Sequence, residues 1–289
     1  MINEVITLNI QGNGVSFEEG TDIRVLAQSL TSLQKLIEKI YLFAEGKSKM
    51  AESDYQNLKI QLINPHSGSW ETDVLIGIQN VVFPITPFIL QNNGDILQTI
   101  KNIYDFITYK IRAKEEGKKI EVKIENTNGL VNYISKNSGS VTIECPINIP
   151  ELAEETAKCL QNLTKPIDGQ SVSKVKLEGN SSSLELDNND SKKFKSHSFT
   201  SDETFFLRGN IREAKADNYS GVIRVIETDD DDLVPGEDYH FVSKNVFDEE
   251  QFSESFLKDT DFEGKKRILI GPENNFDGQV KLIVIEKML

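Results

Sequence analysis

Residues Asp22 to Glu45, DIRVLAQSLTSLQKLIEKIYLFAE, decide how the first half of the chain is read. Ile23, Leu26, Leu30, Leu33, Ile37, Ile40 and Phe43 recur at steps of three and four, which lines them along one side of a helix. Asp22 is placed to cap the first free backbone N–H groups, and Gly46 stands where a helix commonly ends. Arg24, Gln28, Ser32, Gln34, Lys35, Glu38 and Lys39 fall on the other side, which is expected to be wet. A helix with this much apolar surface needs a sheet or a second helix to cover it.

On either side of that helix the period changes from helical to alternating. Glu4 to Ile10 alternates like a half-buried strand, Gln11 to Gly14 is a turn signal, and Val15 to Phe17 starts a return strand. Tyr55 to Ile63 and Trp70 to Ile78 alternate again, with a turn at Asn64-Pro65-His66-Ser67-Gly68-Ser69 between them. Asp95 opens a second helix, striped by Ile96, Ile100, Ile103, Ile107 and Ile111 and closing near Gly117. A short strand at Lys118 to Glu125, a short helix around Leu130 to Ser135 and a strand at Val141 to Cys145 follow. Then come a helix from Pro150 to Leu163 and strands at Val172 to Leu177 and Ser183 to Leu186.

Length and composition point to two domains. The chain has 289 residues, 38% of them hydrophobic, and a mean hydropathy of −0.37, enough apolar mass for packed cores. Asp187 to Ser198, DNNDSKKFKSHS, is poor in apolar residues and is read as a linker. It separates an N-terminal α+β domain, residues 1–186 with a sub-boundary near 125, from a C-terminal domain, residues 199–289. In the latter, strands at Thr204 to Ala214, Val222 to Glu227, Tyr239 to Val242, Arg267 to Ile270 and Val280 to Glu286 enclose a helix at Asp248 to Lys258. Three strands, a helix and two strands make the connectivity of a five-stranded Greek-key barrel of the OB type, with an SH3-like or split barrel as the competing reading.

Charge separates the domains further. Of the formal −14, residues 199–289 carry 21 acidic against 11 basic side chains. Such a surface repels phosphate backbones and attracts basic protein patches, so a protein partner with a basic surface is expected. Asp229, Asp230, Asp231 and Asp232 form the sharpest acidic feature and are the expected contact. They lack the ligand spacing of a calcium loop. Nucleic-acid binding is the alternative; it would use Arg208, Arg212 and Arg224 beside Tyr219, Tyr239, Phe205 and Phe206 as stacking platforms. The basic run from Lys110 to Lys123 is interleaved with glutamates and reads as a solvated face.

No motif in the sequence carries chemistry. His66, His197 and His240 stand apart from one another, no serine sits in a nucleophile elbow, and no phosphate-binding loop is present. The reading is therefore of a protein with no catalytic residue, cofactor or metal of its own. Cys145 and Cys159 fall on core positions and are expected to be reduced; the Met-Ile-Asn-Glu start lacks a secretory pattern, which points to the cytoplasm. Val74 to Leu90 is apolar but broken by Gln79, Asn80, Pro84 and Pro87, so it is read as core or interface rather than membrane. Val82, Phe83, Ile85 and Phe88 are the expected contacts of a homo-oligomer.

The layout of a long helix after two strands, a Gly68-Ser69 entry into an apolar strand and a small C-terminal barrel resembles two-domain proteins of bacteria and their prophages. That resemblance implies a setting in phage–host conflict, as a component of defence or anti-defence, and carries no residue roles.

Overall fold

The computed structural model describes residues 2–16, 20–66, 70–79, 95–125, 129–135, 139–215, 217–243 and 255–289. Two compact units emerge, one of residues 1–111 and 120–195, the other of residues 112–119 and 196–289. The architecture is mixed α and β, with several sheets and five helices among the described residues.

The first unit is built on a five-stranded antiparallel sheet. Strands β1 (Ile2–Gln11), β4 (Leu58–His66), β5 (Trp70–Ile78), β9 (Lys174–Glu178) and β10 (Ser183–Asp187) lie in the order β10-β9-β1-β5-β4. Ile6 faces Val74 and Leu8 faces Leu177 across β1, so the apolar parity of each strand meets that of its neighbour. Ile6, Leu8, Ile10, Val74, Ile76, Val175, Leu177 and Leu186 are buried with the stripes of helices α1 (Ile23–Ala44), α3 (Ile96–Glu115) and α4 (Ile149–Thr164). A hairpin of β2 (Val15–Ser16) and β3 (Gly20–Thr21) leads into α1. The expected return strand from Val15 is therefore only two described residues long, with Phe17 outside them.

Helix α1 has the ends the sequence indicates. Asp22 accepts from Arg24 N at 2.9 Å, while Gly46 N donates to Phe43 O and Lys47 N to Leu42 O, a Schellman end with Gly46 at φ +64°. Its buried side is rotated from the expected stripe. Ser29, Ser32, Leu36 and Tyr41 are buried and Ile23 is 76% exposed, because α4 packs along α1 and Gln28 Nε2 donates to Asn162 O there. Ser32, expected wet, is in the core.

Other local readings are corrected by tertiary pairing. Tyr55 belongs to a short helix, α2 (Glu52–Asn57), and the strand begins only at Leu58. The buried Asp54 carboxylate accepts from Ala51 N at 2.9 Å and from Lys47 Nζ at 2.7 Å, which holds that helical turn. Residues Asn132–Ser135 form a strand, β7, rather than a helix, since they pair with β8 (Ser140–Cys145) in a three-stranded sheet ordered β6-β8-β7, where β6 is Lys119–Ile124. The stretch 187–198, read as a linker, contains the division between the two units after Lys195, and the part before that division is folded. It holds α5 (Asn188–Lys193), closed by a reciprocal cap in which Asp187 accepts from Asn189 N and Asp190 N, and Phe194 has no exposed surface. Tyr104 stacks on Phe194 and donates to Asp190 at 2.7 Å, which ties α5 to α3.

The second unit is a five-stranded closed barrel. Strands β11 (His197–Lys215), β12 (Ser220–Thr228), β13 (Asp238–Ser243), β15 (Gln279–Met288) and β14 (Asp259–Ile270) pair in that order, and β14 returns to β11. All pairs are antiparallel except β13 with β15. Phe205, Leu207, Ile223, Val225, Phe241, Phe262, Ile283 and Ile285 fill the interior. Gly221 is required where β12 leaves β11, because a Cβ there would stand 1.8 Å from Glu213 O. The expected helix at Asp248 to Lys258 and the oligomer contacts Val82, Phe83, Ile85 and Phe88 lie outside the described residues, wholly or for the most part. Cys145 and Cys159 are buried free thiols, and no helix among the described residues is long and apolar enough to cross a membrane.

Candidate functional site

Strand parity places charges where apolar side chains belong. Along β14, Phe262, Gly264, Lys266, Ile268 and Ile270 alternate inward, so Lys266 enters a position meant for the barrel interior. Its side chain is 7% exposed, and Nζ lies 2.7 Å from a carboxylate oxygen of Asp230 and 2.7 Å from Asp232 Oδ2. Burial works to lower the Lys266 pKa, but the bonds to Asp230 and Asp232 outweigh it and hold the group above the ordinary lysine value. It is a cation held between two carboxylates.

That cation organises the acidic loop between β12 and β13. Asp230 is nearly as buried as Lys266. Burial raises the Asp232 carboxyl, while Lys266 and Lys114, the latter at 3.7 Å, more than offset this and keep it below the usual carboxylate range. Asp231 pairs in the open with Lys119, and Asp229 Oδ1 accepts from Phe206 N at 2.8 Å. Each of Asp229, Asp230, Asp231 and Asp232 is thus partnered within the barrel unit. The run that looked like a loose acidic patch is an anchored loop.

Beside the loop lies a cleft of about 270 Å³. Asp232, Glu237 and Asp277 line it together with Tyr239, Ile268 and Val280, and Lys114 is the cation among its described lining residues. The Tyr239 hydroxyl accepts from Val234 N at 3.0 Å, which pins the loop to β13. Carboxylates beside an aromatic ring and two aliphatic side chains suit a side chain with an apolar stem and a cationic head. Among the described residues no three His, Cys, Asp or Glu side chains are grouped to hold a metal ion.

The arginines expected on a nucleic-acid face are dispersed over ion pairs. Arg224 donates twice to Asp238, at 2.7 and 3.0 Å, and Arg208 Nε lies 3.8 Å from Asp261 Oδ1. Arg212 is exposed on the same barrel side and, behind Arg224, helps hold Asp238 low. Tyr219 and Tyr239 pack against the barrel core and Phe205 is inside it, which leaves Phe206 half-buried.

The first unit holds a second titratable cluster. Glu4 has the inward parity of Ile6, Leu8 and Ile10, and its carboxyl accepts from Ile96 N at 2.7 Å and Leu97 N at 3.0 Å at the start of α3. It also bonds Asp95, which accepts from Gln98 N and from the hydroxyls of Ser181 and Ser182. Burial first, and then Asp95, push Glu4 up to about 8; Asp95 is raised by burial but drawn below its ordinary value by Glu4, Ser181 and Gln98. Two carboxyls therefore share one proton at neutral pH and cap a helix. Neither this pair nor Lys266 was found from local motifs. The available signal was a charge standing at inward strand parity.

No protein-family model, curated protein or solved structure matches the chain.

Proposed function

We propose that the chain is a non-enzymatic binding module whose barrel unit receives a basic segment of another protein. The observation that carries this reading is the cleft that Asp232, Glu237 and Asp277 line together with Tyr239, Ile268 and Val280. The Lys266 clamp supports it, since a loop already held in place loses little freedom on binding. Electrostatic attraction by the acidic domain would speed encounter with such a partner. By the resemblance alone, the setting is phage–host conflict.

A fluorescent arginine-rich peptide titrated into the full-length protein tests the reading by anisotropy. Saturable binding that weakens at least tenfold in the double variant Glu237→Gln, Asp277→Asn supports it. Absence of binding at low salt, or binding indifferent to both substitutions, defeats it.

A second reading has its own support. The order β11-β12-β13-β15-β14 with a parallel third and fifth strand supports reading this unit as an OB-type barrel, a common platform for single-stranded nucleic acid. Arg208, Arg212 and Arg224 lie along its first two strands. A thymidine oligonucleotide in the same titration, bound steeply less with rising salt and lost on Arg208→Ala with Arg212→Ala, would favour this reading over the first.

A further inference from the structure

We infer that the chain pairs with a second copy of itself through the outer edge of β6, as an antiparallel two-fold strand pair centred on Val122. This goes beyond the barrel reading and stands apart from it. The strand is an edge of the sheet β6-β8-β7, with no strand on its other side among the described residues. Val122 is 44% and Ile124 49% exposed, which is unusual for two β-branched neighbours on the face opposite Lys123. An edge strand presents unpaired backbone groups that can template another strand, and the charges of β6 restrict that pairing to a strand of complementary charge.

The sequence Lys119-Ile-Glu-Val-Lys-Ile-Glu125 fits its own reverse. With Val122 opposite Val122, Ile120 meets Ile124, Glu121 meets Lys123, and Lys119, which already pairs with Asp231, stands opposite Glu125, so no like charges are opposed. Moving the centre to Glu121 sets Lys119 against Lys123 and Glu121 against itself. A centre at Lys123 sets Lys123 against itself and Glu121 against Glu125. Like charges directly opposite are unfavourable, which selects the Val122 register among these.

The backbone agrees with that choice. Glu125 N donates to Cys145 O of β8 at 3.1 Å, and backbone groups alternate sides along a strand, so the odd positions turn toward β8. Ile120, Val122 and Ile124 turn outward. In the Val122 register these three face their counterparts in the second copy and exchange hydrogen bonds, whereas a register pairing even with odd positions would not. The contact is isologous and closes at two copies, the ordinary geometry of a homodimer. Lys123, now bonded to Glu125 in its own strand, would exchange that exposed contact for Glu121 of the other copy.

Light scattering of the full chain over a hundredfold concentration range, with charge variants, tests the pairing. Wild type is expected to dimerise. Glu121→Lys alone and Lys123→Glu alone each create two like-charged contacts and should weaken self-association by about tenfold or more. The double variant Glu121→Lys, Lys123→Glu should restore it. An equimolar mixture of the two single variants should form a heterodimer, which also shows that each is folded. A wild type that stays monomeric at the highest concentration overturns the inference, as does a dimer whose strength ignores both single substitutions. Neither result touches peptide binding by the barrel cleft, which is read separately.

Discussion

Replacing Lys266 by Met keeps the apolar stem and removes the ammonium from the barrel interior. Asp230, almost fully buried, then retains Asp232 N at 2.9 Å as a donor but loses its cation at 2.7 Å. Asp232 loses the same cation, yet it is 41% exposed and keeps Lys114 nearby. The cost therefore falls mainly on one stranded carboxylate. Breaking a buried pair from one side costs about 3–5 kcal/mol, and the half-open Asp232 places this case near 3. At about 1.4 kcal/mol per factor of ten, amides of β12, β13 and β14 that exchange by opening of the barrel should exchange roughly 100-fold faster. Hydrogen exchange with mass spectrometry on the full-length chain measures this. Adding Asp230→Asn removes the stranded charge, so the double variant should recover at least half of the lost protection. A single variant that changes exchange by less than threefold, or a double variant no better protected than the single, would refute the view that Lys266 organises the loop.

Two further outcomes follow from the first unit. Glu4 has a folded-state pKa raised from 4.5 to about 8, so its contribution is full below 4.5 and is lost as pH rises toward 8. Urea unfolding followed by Trp70, the one tryptophan, should show stability falling across that window in wild type and falling less in Glu4→Gln; equal slopes would reject the shared proton. Tyr104→Phe leaves Asp190, a buried carboxylate at 2.7 Å, without that donor and should cost about 1–2 kcal/mol by the same urea assay, whereas a change under a few tenths would show the hydroxyl to be dispensable.

Much of the fold was legible because it is written in nearest-neighbour chemistry. Asp22 and Gly46 mark the ends of α1, the isoleucine stripe of α3 is buried as spaced, and the five C-terminal strands occur in the expected order. Failures came where a distant element outvoted a local preference. Ser29 and Ser32 are buried because α4 lies along α1, Asn132–Ser135 is a strand because β8 offers a partner, and Phe194 gives the apolar-poor stretch before the barrel a core anchor.

By itself the sequence determined periodicity, helix ends and the acidity of the last ninety residues, all properties of residues a few positions apart. Only the tertiary structure decided what the inward charges meet. Lys266 finds Asp230 across 36 residues and Glu4 finds the α3 amides across 92, separations at which no local pattern links the partners. The physical reason is range: a buried charge is stabilised or stranded by what stands within a few ångströms of it, and only folding brings those groups together.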